Sequence, residues 1–256
     1  MLSSVPDWFW ALWAGLLGLA VGSFWTVAVG RWPAGGSLVR PPSHCPPCGR
    51  RLRPWELVPV VSWIALRARC GGCGARISWR YPAIELVSGL LAAGAILLVG
   101  ADARGAAVAL LLVVLVPVVV IDLEHKLIPD VIVLPAAAAA LALAIANEPS
   151  RWWVPTAAAL GASLFLLILT IVYPGGMGLG DVKLALLLGA VLGSAVIPAL
   201  AFAFAAGALL GAALLVRFGS RARKLAVPFG PFLAAGALAA LVWGQPIIDW
   251  YSGRLG

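Results

Sequence analysis

Charge is the scarcest property of this 256-residue chain: 11% of its residues are Asp, Glu, Lys or Arg, against 62% that are hydrophobic. A soluble globular chain carries about a quarter charged residues, so the shortage excludes an ordinary water-soluble domain and describes a polytopic membrane protein. Acids are rarer still, ten against eighteen basic residues, for a net charge of +8. Cysteine is absent outside the stretch 45–73. There is no internal repeat at a fixed period and no disordered tail. Apolar runs recur to the far end of the chain, which argues against a secreted protein behind a signal peptide. The basic excess gathers in a few loops between apolar runs, the pattern of membrane topology rather than of nucleic-acid binding.

A bilayer core about 30 Å thick needs about 20 apolar helical residues. The expected spans are 9–30, 83–100, 106–122 (a short one), 130–146, 155–173, 182–197, 199–216 and 227–244. The stretch 182–216 as one straight helix would reach about 52 Å, so a turn is expected near Gly193, Ser194 and Pro198. The basic residues favour eight spans with the N-terminus outside. Nine arginines in the loop 31–80, then Arg217, Arg221, Arg223 and Lys224, and Lys126 and Lys183, all fall on the cytoplasmic face. That places fifteen of the eighteen inside and leaves Arg104, Arg151 and Arg254 outside. Tryptophans 8, 10, 152, 153, 243 and 250 fall near the outer ends, as interfacial anchors. The chain divides into a first transmembrane helix (1–30), a cytoplasmic insert (31–80) and a transmembrane core (81–256), an all-α membrane protein of about eight helices.

The insert is too short to bury a core of its own and calls for a metal or disulfides. It carries all four cysteines, as "CPPC" at 45–48 and "CGGC" at 70–73. Two C-x2-C knuckles at this spacing can set Cys45, Cys48, Cys70 and Cys73 tetrahedrally around Zn²⁺. Gly49 and Gly74 suit the tight turns that follow, and nearby arginines favour thiolates. Disulfides or a thioredoxin-like redox pair are the alternatives; a cytosolic loop with no βαβ pattern disfavours both. His44 is a bystander, since four thiolates complete the shell.

Topology also sorts the acids. Asp7, Asp102, Glu148 and Asp249 are solvated outer charges, Glu56 lies in the insert and Glu85 near the inner end of the second span. Asp122 ends the third apolar run, where the negative end of the helix dipole disfavours it. Asp181 opens the sixth span from the same side and has a plain alternative role as an N-cap. Asp130 is a stronger case of such a cap, and Glu124 and His125 fall in a solvated interfacial loop. Two carboxyls brought to one depth would share a proton and titrate as a coupled pair. One can then activate water while its protonated partner polarises a peptide carbonyl. Gly175, Gly176, Gly178 and Gly180 would let backbone approach a substrate strand closely, with Gly178 and Gly180 of this supporting loop at positions wanting positive φ or close approach. On these residues alone, a proton-coupled transporter or a cation channel remains the alternative.

Several segments together resemble the type IV prepilin peptidases, intramembrane aspartic proteases. They are "GSFWTVAVGRWP" at 22–33, the cysteine insert within 40–89, "DLEHKLIPD" at 122–130, "GMGLGDVKL" at 176–184 with its GxGD, and "PFGPFLAAG" at 228–236. The resemblance implies cleavage of the leader of a prepilin or pseudopilin at the cytoplasmic face of a bacterial plasma membrane. The new N-terminal residue is then N-methylated from S-adenosylmethionine. It carries the catalytic roles onto Asp122 and Asp181. The chain departs from the family at Trp25-Thr26, where Leu-Asn is common. No G-x-G-x-x-G unit follows a strand, so no methyl-donor site is visible from motif alone.

Overall fold

The structure, a computed structural model, describes residues 5–173, 176–219 and 227–254. Gly175, Arg221, Arg223 and Lys224 lie outside the described residues. The described elements are helical: α1 Asp7–Arg31, α2 Val61–Ala65, α3 Arg80–Val99, α4 Ala103–His125, α5 Asp130–Asn147, α6 Trp153–Val172, α7 Leu179–Leu192, α8 Val196–Phe218 and α9 Gly230–Ser252, with short 3-10 turns between some of them. No strand forms among the described residues; two isolated antiparallel bridges, His44 with Arg51 and Arg69 with Arg76, are the nearest approach. Seven stretches are long and apolar enough to cross a membrane. The chain is therefore a multi-pass membrane protein, and large apolar side chains such as Leu98, Leu209 and Val216 stand exposed on its helices.

Each of the eight expected spans overlaps one long helix. The stretch Leu179–Phe218 counts as a single candidate of 40 residues, yet a straight helix of that length would be about 60 Å. It is broken at Gly193, whose φ of 56° lies in the left-handed region that favours glycine. The break comes earlier than Pro198, which instead occupies the first turn of α8, where its missing N–H is tolerated. Two other boundaries differ from expectation. The third span is not short: α4 runs on through Asp122 to His125, so Glu124 and His125 close a helix rather than occupy a loop. No breaker intervenes until Lys126, at φ 54°. The last helix likewise continues past 244 through Pro246 to Ser252.

The chain divides into two compact units, residues 1–120 and 121–256. In the first, α1 and α3 lie antiparallel at very close range. A Cβ on Gly18 would stand 2.6 Å from the Ser88 carbonyl oxygen, and one on Gly22 would stand 2.8 Å from the Glu85 Cα. Lipid supplies no hydrophobic drive between helices, so such small-residue contacts, which maximise dispersion, do the joining. The insert spans the gap between the C-terminal end of α1 and the N-terminal end of α3.

The second unit is built by the same rule. Gly189 of α7 meets Ala158 and Ala159 of α6, and Gly236 of α9 meets Ala199 and Ala203 of α8. Gly244 faces Ala195 and Pro198, while Gly207 faces Phe229 and Phe232. These pairings run α7 antiparallel to α6 and α8 antiparallel to α9, so the chain reverses direction at Gly193. The starts of α7, α5 and α9 and the end of α4 consequently meet at one end of the unit.

A β-branched side chain at a close crossing should be expelled. Gly189→Val and Gly236→Val, whose Cβ atoms would lie 2.5 Å and 2.2 Å from backbone carbonyl oxygens, are expected to destabilise by about 1–3 kcal/mol or more. Gly211→Val, with open space around it, should leave the thermal-unfolding midpoint in detergent unchanged. Equal midpoints for all three would refute the close-packing account.

Candidate active site and metal centre

Asp122 and Asp181 are both buried, at 5% and 6% exposure, at the shared end of the second unit. Asp122 lies in the last turn of α4. Its Oδ2 accepts the Gly230 N–H at 2.8 Å, one of the first amides of α9, which has no partner within its own helix. Asp181 lies in the first turn of α7, and its Oδ2 accepts the Gly178 N–H at 3.1 Å. Asp181 is thus not the N-cap. Gly178 holds that position, and the carboxylate reaches back to it as the acidic half of a capping box does. Each aspartate spends one oxygen on a glycine amide. Asp181 Oδ1 is buried with no hydrogen-bond partner, an expensive condition for a group whose only role is to cap. The end of α4 and the start of α7 bring the two carboxyls to the same end of the unit.

Around the pair, Lys183 of α7 bonds Asp130 of α5 through Nζ and Oδ2 at 2.5 Å. Asp130 is the first helical residue after its cap, Pro129; it is half exposed and faces this ammonium rather than serving as the cap. Glu124 and His125 lie beyond, exposed, with 3.9 Å between carboxylate and ring. The glycines separate by role. Gly180 does require close approach, because a Cβ there would stand 2.8 Å from the Ile128 Cβ. Gly178 does not: its φ is −89°, ordinary extended backbone, and a Cβ would make only normal contacts at 3.6 Å. Neither glycine has positive φ; Gly180 meets the expectation through its close approach and Gly178 meets it in neither way, because what this turn needs is an amide aimed at Asp181 and a flat surface against Ile128. Gly230 was not singled out by residue chemistry, although a Cβ there would lie 2.6 Å from Asp122 Oδ2. The signal was available in "PFGP", a glycine opening a helix.

The cysteines form a separate centre in the first unit. The four Sγ atoms lie within 4.8 Å of one another, with Cys45 and Cys73 at 3.8 Å. A tetrahedral ion with metal–sulfur bonds of about 2.3 Å has sulfur–sulfur edges of about 3.8 Å, so the cluster could hold a metal. The two knuckles are built alike. Cys45 N–H donates to the Arg50 carbonyl and Gly49 N–H to the Cys45 carbonyl, and Cys70 and Gly74 repeat this with Ala75 and Cys70. Gly49 and Gly74 take φ of 69° and 71°, where glycine is favoured. The amides of Cys73 and Gly72 hold the Cys70 thiol down to about 6, toward the thiolate a metal needs. His44 bonds the Pro42 carbonyl and is not among the clustered ligands.

Two acids of this unit that sequence chemistry left unassigned are buried and bonded. Glu56 receives Arg50 at 2.6 Å and the Arg53 N–H at 2.8 Å, and the Arg50 guanidinium, then the Arg53 amide, keep its carboxyl well below the usual range. Arg50 follows the first knuckle and lies against Gly72 of the second, so this pair ties them together. Glu85 accepts the Val60 N–H at 2.7 Å.

Comparison with known proteins finds two family matches along the chain. Residues 16–99 match the bacterial peptidase A24 N-terminal domain, and residues 109–216 match the type IV leader peptidase family. The chain belongs to the type IV leader peptidase family. A prepilin leader peptidase/N-methyltransferase of Bacillus subtilis is 37% identical over 241 residues, covering 92% of this chain and 95% of the relative. Proteins of the same description from Pseudomonas aeruginosa and Myxococcus xanthus are 36% and 39% identical, covering 92% and 85% of this chain and 91% and 68% of theirs. No solved structure matches the chain. In family terms the first match contains the whole cysteine cluster, and the second contains Asp122 and Asp181.

Metal analysis of purified, reduced protein is expected to give one tightly bound ion per chain. Cys45→Ser or Cys70→Ser should lower that content, and Glu56→Gln should leave the ligands in place but loosen the insert toward limited proteolysis. A metal-free wild type would overturn the cluster's assignment.

Proposed function

We propose that this chain is a membrane aspartic endopeptidase that removes the leader of type IV prepilins or pseudopilins at the cytoplasmic face and N-methylates the new N-terminus. Asp122 and Asp181 are its catalytic pair. The observation that carries the reading is the shared geometry of the two acids: both buried at one end of one unit, each held through Oδ2, with Asp181 Oδ1 unpartnered. With one proton between them, the ionised member takes a proton from water as its oxygen attacks the scissile carbonyl. The protonated member gives its proton to the carbonyl oxygen. Collapse of the tetrahedral species returns a proton to the leaving amine. Glycine amides fix both carboxyls before substrate arrives, which lowers the reorganisation required during reaction.

The cytoplasmic orientation is supported by the basic residues of the insert and of Lys126 and Lys183. It also suits a substrate that is itself a membrane helix with a basic leader. Zinc suits the four thiolates, which close its shell and leave it a structural role. S-adenosylmethionine supplies the methyl group to the new terminal amine. Lipid covers the exposed apolar helix faces, and the clustering of arginines around a metal knuckle and a membrane boundary leaves no nucleic-acid partner in this reading. Membership of the peptidase family displaces the alternative of a proton-coupled transporter or channel.

Asp122→Asn and Asp181→Asn are expected each to abolish leader removal, measured as the mass of a prepilin mixed with the detergent-solubilised protein, with membrane insertion near normal. Asp130→Asn should retain clear activity, since the exposed pair it loses is worth about 0–1 kcal/mol. Gly230→Ala and Gly180→Val should reduce cleavage strongly with both aspartates intact, and Gly178→Ala should be tolerated better than either. Full activity in either aspartate variant would defeat the assignment.

A further inference from the structure

A cavity of about 660 Å³ lies within the first unit, where the C-terminal end of α1, the start of α3 and the cysteine insert meet. Ser62 and Trp63 of α2, and Leu66 just after it, line this cavity, so one side of α2 faces inward. The opposite side carries Val61 and Ile64, one helical turn apart, and they are 61% and 64% exposed. Trp55 and Val58, shortly before α2, are exposed as well. A run of large apolar side chains open on one side of a small module marks a surface that something else covers.

The charge around this surface has one sign. Arg51 and Arg53 precede it in sequence, Arg67 and Arg69 follow it, and all four are exposed. Glu56 is the only acid between residues 31 and 80, and it is buried against Arg50. An apolar stretch bracketed by cations is the composition of a segment that lies in a bilayer interface. Its position agrees. The insert leaves α1 at Arg31 and enters α3 at Arg80, and these two helices are antiparallel, so both ends of the insert lie at one membrane boundary. The Val60 N–H, immediately before α2, donates to Glu85 at 2.7 Å. Glu85 comes five positions after Arg80, the first residue of α3, which is about 7.5 Å along that helix. The start of α2 is thereby tied to the span itself and is not held out into water.

We propose that the outer face of the insert is a membrane-docking surface. Trp55, Val58, Val61 and Ile64 enter the edge of the hydrocarbon, and Arg51, Arg53, Arg67 and Arg69 bind the headgroup phosphates of anionic phospholipid. The chemistry suits that depth: tryptophan has an apolar ring with a polar N–H, and arginine lays its stem on apolar surface while its guanidinium reaches phosphate. Two other occupants fit less well. A second copy of the chain would bring the same arginines face to face, and a basic substrate leader would be repelled by them. Lipid also covers the exposed faces of α1 and α3, so the surface of the insert continues an interface that the spans already make.

Hydrogen–deuterium exchange of the full-length protein, one chain per lipid nanodisc, tests this. The discs hold phosphatidylcholine alone or phosphatidylcholine mixed with phosphatidylglycerol, and the readout is the peptide covering residues 58–66. In the mixed discs the wild type should exchange about fivefold or more slowly than a variant carrying Val61→Asp and Ile64→Asp. Arg67→Gln with Arg69→Gln should fall between them, and salt at about 0.5 M should move the wild type toward that arginine variant. Metal content reports that each variant is folded, since none of these side chains is buried or a cysteine ligand. Equal exchange in wild type and aspartate variant would overturn the docking. The wild type alone gives a test free of substitution: equal exchange in the two kinds of disc would overturn the anionic partner. Protection that appears only in discs holding two chains would assign the surface to a second copy and overturn the lipid assignment. Cleavage and methylation are not read, so failure here leaves the proposed reaction untouched.

Discussion

A carboxyl at the edge of a bilayer has to be held by something other than bulk water, and both buried aspartates are held in the same way. The first amides of a helix lack partners within their own helix, and in this chain those amides meet the acids. Asp181 takes the amide at the start of its own helix, and Asp122 takes the one at the start of α9. Each bond does two things at once: it satisfies a helix end inside an apolar unit and fixes the rotamer of an acid. The second bond also pins α4 to α9 at a point where a single extra carbon would intrude, since a Gly230 Cβ would stand 2.6 Å from the carboxyl oxygen. A hydrogen bond to a charged group contributes about 1.5–3 kcal/mol, enough for one contact to decide where α9 begins.

Much of this was legible in residue order. Apolar runs of helical length read directly as spans, because a bilayer leaves backbone no alternative to helix. The cysteine spacing and the two glycines after it read as knuckles for the same reason of local geometry. What escaped was long-range. Gly230 carries no chemistry of its own, and its meaning comes from an aspartate more than a hundred positions earlier. Gly178 reads as a position wanting positive φ or a close approach, yet its contribution is an N–H that nearly any residue supplies. Pro198 is a strong breaker by type, but Gly193 broke the helix first, which moved the proline into a turn that accepts it. Glu85 was read as a span-end acid, because neither its bond to Val60 nor the cavity beside it follows from spacing.

The insert shows how a segment without a core can be held together. Its two knuckles share a backbone plan and face one cluster of four sulfurs. The Arg50–Glu56 pair, with 2% of the Glu56 side chain exposed, adds a second tie between them. Glu85 then fastens the adjacent turn at Val60 to α3. Cysteine cluster, ion pair and helix anchor are three constraints on a segment of fifty residues, and the cavity lies where they converge.

The short length of α7 sets the depth at which Asp181 lies. Its antiparallel neighbour is longer: α6 runs from Trp153 to Val172, with Val154 beside Gly193, while α7 returns from Leu192 only to Leu179. At 1.5 Å per residue, Asp181 lies about 18 Å from the shared turn and the end of α6 about 27 Å. The acid is therefore recessed by about 9 Å relative to the neighbouring helix end. A carbonyl in an intact helix is engaged in its own hydrogen bond and must be freed before it can be attacked. Extended chain advances about 3.3 Å per residue, so about three unwound residues cover the distance. Under the proposed reaction, a substrate helix would melt by less than one turn, a local demand that leaves the rest of it in lipid.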